Sequence, residues 1–357
     1  MIEKYSKIII DAILERKEIK LVDWSDIDFL KLLVQASHNR VLYLFAKKLL
    51  GLGISFPDKH KDLILDAIKE GEKNLEVLRN TLLLLDDIFK KEKIDYLVVK
   101  TFKYFDYITF DVDFLVRYDE FKKVIDLLIK KDIMVKSHPN LRTQGLHQRN
   151  CFKSGFLKMD LHRKFFWLGI DHVDLDFIWS NTTKRKIAGV DCPVPSLEAD
   201  FLFNNKQLVY ERGYITLLDF LAVKYASDEG LNWEDIMAQV RKYKWDGTFF
   251  VLLNWLNYMH QEIFGRDMVD VSRYFGSKKY NIRRRKLKLP LIYPLKEVMS
   301  VFKEIALNNK HIPILEFLYY FFAMGRYLIS NRLPFYDHWY DFNKTGHGKH
   351  IVANCIN

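Results

Sequence analysis

Cysteine is scarce in this chain: three occur in 357 residues, Cys151, Cys192 and Cys355. They are far apart, odd in number and never spaced C-x-x-C. That excludes a disulfide framework and a cysteine-based zinc site, and points to reduced thiols in a cytoplasmic protein. Also missing are a Walker-type glycine loop, a dinucleotide fingerprint, a G-x-S-x-G elbow and an H-E-x-x-H pair. With them go the common P-loop, dehydrogenase, serine-esterase and zinc-protease readings. No internal repeat or low-complexity segment occurs. The first residues, Met1 to Lys7, mix acidic and basic side chains before a short apolar stretch, so they read as the start of an amphipathic helix and not as a signal peptide. One apolar run, Ile312 to Ser330, is about long enough to cross a bilayer. Its Pro313, Glu316, Gly325 and Arg326 make spanning costly, and a buried helix is the expectation. Tyr319, Tyr320, Tyr327 and the basic run ahead of them leave an interfacial placement open.

What is present is a large apolar fraction, 49%, with 15% aromatic residues, enough for a sizeable core. The formal net charge of +10 suits an anionic partner such as a nucleotide, nucleic acid or lipid surface, and a basic solvated surface equally well. The pattern along the chain predicts an α+β fold. Residues 1–90 read as helical, with Ser25 expected to cap a helix from Asp26. Leu63, Leu65, Ile68, Leu75, Leu78, Leu82 and Leu85 recur at helical spacing as an apolar stripe. Residues 91–195 read as a small mixed or antiparallel sheet. It comprises a strand over Ile94–Lys100, another over Asp111–Val116, a helix from Tyr118 to Lys131, a short strand at Ile133–Lys136 and a hairpin from His147 to His162 that turns at Ser154-Gly155. A further strand is expected over Lys186–Val190. Residues 196–340 return to helix and 341–357 read as an irregular tail. The cluster Arg283-Arg-Arg-Lys286 marks an exposed loop. Residues 283–330 are thus a candidate for peripheral membrane or polyanion contact.

The chemistry centres on acids. D-x-D occurs at Asp26/Asp28, Asp111/Asp113 and Asp174/Asp176. The first falls at an expected helix start, where acids suit the positive end; the third precedes Phe177-Ile-Trp. Only Asp111 and Asp113 lie in a predicted strand, where residues i and i+2 share a face. Two carboxylates held side by side repel, so they require a proton or a cation, and Asp113→Asn is expected to relieve that repulsion and leave folding intact. Asp160, between Met159 and Leu161, adds a third acid from another strand. Three such carboxylates can hold one or two magnesium ions, and two metals can stabilise both oxygens of an in-line displacement at phosphorus. Pairing of Asp160 with Lys158 or Arg163 is the competing assignment.

Lys100-Thr101, Asp111-Val-Asp113 and Met159-Asp-Leu-His162 together resemble the polymerase-β-type nucleotidyltransferases, in particular a branch of uncharacterised members. In that branch a strand ends in Lys-Gly, a D-x-D strand follows and a later strand reads Asp-hydrophobic-His. The resemblance runs on through Pro195-Ser-Leu-Glu198, Leu217–Asp219 and Asn232-Trp-Glu-Asp-Ile236, over roughly residues 75–265. It implies a nucleotidyltransferase core between helical regions, a nucleoside triphosphate as substrate and Mg2+ (or Mn2+) as cofactor. Asp111, Asp113 and Asp160 would be the catalytic metal ligands, with Asp160 also acting on the acceptor hydroxyl. Lys100, Thr101 and His162 would be nucleotide-binding positions. The acceptor is left open among a small molecule, a protein and RNA. Thr101 stands where the family has glycine, the loop up to Asp111 is short, and the arginine expected before the D-x-D is absent. These departures bear on triphosphate binding more than on metal binding. They also keep an alternative open, a catalytically degenerate binding module of the same fold for nucleic acid, protein or a membrane surface.

Overall fold

The computed structural model describes residues 2–137, 147–167, 170–206, 208, 214–277, 286–293 and 303. Cys355, Arg283 to Arg285, the Ile312–Ser330 segment and the 341–357 tail lie outside the described residues. Among the described residues no helix is long and apolar enough to cross a membrane.

The chain opens on helices α1 (Lys4–Ile13), α2 (Phe29–His38), α3 (Leu42–Gly51) and α4 (Asp58–Lys91). Ser25 does not cap α2. Asp28 does, its carboxylate accepting the Lys31 N–H at 3.0 Å, while Trp24–Asp26 forms a short 3-10 turn capped by Asp23. An acid outcompetes Ser25 here because its charge also suits the helix's positive end. Helix α4 is 34 residues long and serves two cores. Ile64 and Ala67 pack with α1 to α3, whereas Leu78, Leu82, Leu85, Ile88 and Phe89 pack beneath the sheet. Leu65, expected in the stripe, is exposed; the buried face of this half is Ile64, Ala67 and Gly71. Gly71 is required by a close approach. A Cβ there would lie 2.0 Å from Cδ2 of the buried Tyr43 ring of α3.

The sheet combines β1 (Tyr96–Val99), β2 (Asp111–Val116), β3 (Met134–Ser137), β4 (Gln148–Phe152) and β5 (Lys158–His162), with α5 (Phe121–Lys130) between β2 and β3. Its order is β1-β2-β5-β4-β3. Only β2 and β5 run parallel; the other neighbours are antiparallel. Alternation along the strands sends Tyr96, Val98, Val112, Phe114, Val116, Met159 and Leu161 to one face, against α4 and α5. Leu97, Val99 and Leu115 go to the other face and join the core made with the flanking helices. Asp111, Asp113 and Asp160 share the parity of that second face.

Beyond β5 come a two-residue pair, β6 (Phe166–Trp167) with β7 (Ile170–Asp171), then α6 (Leu175–Ser180). A hairpin, β8 (Thr183–Ile187) and β9 (Val190–Val194), follows. The single strand expected over Lys186–Val190 is in fact the turn of this hairpin. Ala188 and Gly189 have φ of 46° and 81°, a reversal that extended backbone cannot contain. Helices α7 (Leu197–Lys206), α8 (Leu217–Glu229), α9 (Trp233–Lys242), α10 (Asp246–Phe264) and α11 (Ser272–Phe275) complete the described chain. A short pair, β10 (Tyr214–Ile215) with β11 (Leu291–Ile292), accompanies them. The architecture is α+β, and Cys151 and Cys192 are free, buried thiols that burial pushes up to about 12.

Two polar side chains on α4, two helical turns apart, tie down the strands that carry the acids. Asn74 donates to the Thr109 carbonyl at 2.8 Å and accepts its N–H at 3.0 Å, two residues before β2. Thr81 accepts the Leu157 N–H at 3.0 Å, one residue before β5. Asn74→Ala leaves both backbone groups of the buried Thr109 without these partners. It is expected to lower unfolding free energy by about 1–3 kcal/mol, read from urea denaturation.

Candidate active site

The register of β2 on β5 sets Asp113 directly opposite Asp160, Asp111 opposite Lys158 and Leu115 opposite His162. Directly paired residues point to the same side, so Asp111, Asp113, Lys158, Asp160 and His162 share one face. Antiparallel pairing of β4 adds Asn150, opposite Asp160, and Gln148, opposite His162. The three acids proposed from sequence are therefore brought together, and His162 with them.

Their charge is balanced from within the chain. Lys100 Nζ lies 2.6 Å from Asp113 Oδ1, and His162 Nε2 lies 2.8 Å from the same oxygen. Burial alone would raise the Asp113 carboxyl; the Lys100 ammonium and the His162 ring outweigh it and hold the group well below the usual carboxylate range. Lys158 Nζ reaches both other acids, 3.0 Å from Asp160 Oδ2 and 3.5 Å from Asp111 Oδ2. Burial works against the Lys158 charge, but Asp160 and Asp111 prevail and raise its pKa. Asp160 moves the other way from Asp113. Burial pushes its carboxyl up, Lys158 only partly offsets this, and the nearby Asp113 and Asp111 charges add to the rise. Its Oδ1 is buried with no hydrogen-bond partner, as is Oδ1 of Asn150. Arg163, the other cation considered for Asp160, instead stacks over Tyr118 at 4.4 Å and donates to His147 Nδ1.

Lys100 and Thr101 end β1 in a sharp turn. The Thr101 N–H donates to the Val99 carbonyl at 2.6 Å, and Lys100 between them has φ of 58°, rare for a residue with a side chain. Thr101 is buried; its hydroxyl donates to the Val99 carbonyl and accepts the Asp113 N–H at 3.3 Å. Its carbonyl accepts from Tyr107 Oη at 2.9 Å. The turn is clamped from α7. Asp200 Oδ1 accepts the Lys100 N–H at 3.2 Å, and Lys103 Nζ donates to the Lys100 carbonyl at 2.8 Å and to Asn204 Oδ1 at 2.9 Å. An open cleft lies between residues 102–104 and helices α7 and α8, lined in part by Lys103, Asp200 and Asn204. Lys103, Asp200 and Asn204 escaped sequence reasoning. The α7 pair is a hundred residues from the turn it holds, and no local pattern links them.

Among the described residues no three His, Cys, Asp or Glu side chains stand in a metal-chelating arrangement. The donor set itself fits a hard divalent cation. It offers carboxylate oxygens from Asp111, Asp113 and Asp160, one of which is buried without a partner.

The Lys100–Asp113 pair reverses the expectation that Asp113→Asn relieves repulsion harmlessly. Both side chains are 13% exposed, so the substitution takes the carboxylate charge away from beside a buried ammonium. Asp113→Asn is expected to cost about 3–5 kcal/mol in metal-free denaturant unfolding, part of it regained in Asp113→Asn/Lys100→Met.

Comparisons with known proteins extend this description. No curated protein matches the chain. Among solved structures it is similar to the lincomycin-bound lincosamide antibiotic adenylyltransferase LnuA. The two are 18% identical over 35% of this chain and 84% of that one, with a TM-score of 0.26. The sequence model of the uncharacterised nucleotidyltransferases matches residues 25–259, well over half of the chain and all three acid-bearing segments, and the protein belongs to that family.

Proposed function

We propose that this protein is a metal-dependent nucleotidyltransferase that moves a nucleotidyl group from a nucleoside triphosphate to an acceptor hydroxyl. The observation that carries this reading is the parallel register of Asp113 on Asp160, with Asp111 two residues earlier on the same face. Family membership supports it. In the reaction the acceptor oxygen forms a bond to the α-phosphorus, the bond to the β-phosphate oxygen breaks, and pyrophosphate leaves with that electron pair. Asp111, Asp113 and Asp160 would hold Mg2+ or Mn2+, which supplies charge neutralisation at the triphosphate and the leaving oxygen. Asp160, directly opposite Asp113 on the neighbouring strand, is placed to act on the acceptor hydroxyl. His162 and Lys100 orient Asp113. Catalysis rests on positioning and on charge placed before the reaction begins.

One observation favours a second reading. The Thr101 hydroxyl, where the resembling family has glycine, is buried and committed to the backbone of Val99 and Asp113. A turn filled in this way limits close approach of a phosphate to the backbone. On that reading the chain is a degenerate nucleotidyltransferase fold that binds without turning over.

Titration calorimetry with Mg2+ and each nucleoside triphosphate, followed by pyrophosphate release, separates the two. The transferase reading expects nucleotide binding and turnover, and at least about a 10³-fold loss of turnover in Asp111→Asn, since a metal's charge stabilisation amounts to several kcal/mol. Asp111 is the cleanest position because its side chain is 40% exposed and its removal strands less buried charge. Absence of nucleotide binding at millimolar concentration favours the binding module.

A further inference from the structure

Lys158 pairs with Asp160, as the competing assignment anticipated, and has no part in the proposed reaction, yet it touches two of the three proposed ligands. Its position follows from the strands. It lies opposite Asp111 in the parallel register and two residues before Asp160, so alternation directs it to the acid face. The ammonium sits 3.0 Å from Asp160 Oδ2 and 3.5 Å from Asp111 Oδ2. These are acids on neighbouring strands, two of the three that would hold a divalent cation. One ammonium does not saturate them: Asp160, with its side chain only 8% exposed, keeps Oδ1 buried and without a partner. Lys158 opens β5 and its side chain is 33% exposed, so the ammonium has solvent to withdraw into along its flexible stem.

We propose that Lys158 is a resident cation that neutralises Asp111 and Asp160 in the metal-free protein and must leave for a divalent cation to bind. It is a positioning residue that sets metal affinity, and this assignment rests on the metal-site reading above. Without metal, the ammonium keeps two like charges from repelling across adjacent strands. With metal, the same carboxylates exchange one monovalent partner for a divalent one, and the observed affinity is reduced by the strength of the ion pair that is broken. Asp113, held by Lys100 and His162, remains in place throughout.

The test is Mn2+ binding, followed by the electron paramagnetic resonance signal of free Mn2+, in the full-length wild type, Lys158→Met and Lys158→Arg. Lys158→Met removes the competitor and is expected to bind Mn2+ about tenfold or more tightly than wild type; Lys158→Arg keeps a cation in place and is expected to stay near wild type. A second readout is thermal unfolding. In chelator, Lys158→Met is expected to melt below wild type, and saturating Mn2+ is expected to raise its Tm by more than it raises the wild-type Tm. Should Lys158→Met fold poorly in chelator, Lys158→Gln carries the same comparison. If wild type binds Mn2+ and the folded variant binds no more tightly, the Lys158 assignment is overturned and the metal site stands. If neither binds, both are overturned.

Discussion

Like charge gathered on a half-buried sheet face has to be neutralised, and in this protein that requirement governs the centre of the molecule. The parallel pairing of β2 with β5 forces Asp113 and Asp160 side by side and places Asp111 just ahead of them. An arrangement of three carboxylates with no cation would be driven apart or protonated. Here two lysines and a histidine supply the balance, each from a different place in the fold: Lys100 from the turn after β1, Lys158 from the start of β5 and His162 from its end. The distribution is uneven. Asp113 has two partners on a single oxygen and Asp160 shares one lysine with Asp111, so burial raises both carboxyls but is outweighed only at Asp113.

The sheet divides the interior so that this face can exist. Its other face carries an apolar layer against α4 and α5, with Val112, Phe114, Met159 and Leu161 interleaved between the acids in sequence. Every acid is thus flanked along its strand by residues that anchor the backbone from behind. Helix α4 adds polar anchors at both entrances, Asn74 before β2 and Thr81 before β5. A one-residue slip of either strand would exchange acids for core residues and break these bonds together. The position of the carboxylates is therefore secured by packing they do not share.

Much of this was legible in the sequence because it follows from short-range alternation. The bounds of β2, the β4–β5 hairpin and the shared face of Asp111, Asp113 and Asp160 all derive from a period of two. Where two local signals competed, the reading failed. Ser25 and Asp28 both offer caps, and charge selected Asp28. Apolar residues crowd α4 on more than one face, and packing against α1 to α3 selected Ile64 and Ala67 over Leu65, with Gly71 set against Tyr43. At Lys186–Val190 the β-branched character was right, but Ala188-Gly189 was the turn and not the strand. Partners distant in the chain were invisible. The Asp200 and Asn204 clamp on the Lys100 turn has no local trace, and of the lysines that meet the acids only Lys158 was named as a partner, for Asp160, while Lys100 was given to nucleotide binding.

The turn at Lys100 is the point where stability and chemistry meet. Where the resembling family has a glycine after the lysine, this chain has Thr101, and the left-handed backbone conformation falls on Lys100 instead. A side chain there carries a cost of order 1–3 kcal/mol unless the surroundings enforce it. They do so from several directions: Asp200 holds the Lys100 N–H, Lys103 holds its carbonyl, Asp113 holds its ammonium, and Tyr107 holds the next carbonyl. The Thr101 hydroxyl joins the turn to the Asp113 backbone. The substitution of threonine for glycine is therefore not an isolated loss of space near a phosphate. It comes with a network that converts the turn into a support for Asp113, so that the residues around Lys100 fix the central carboxylate in position.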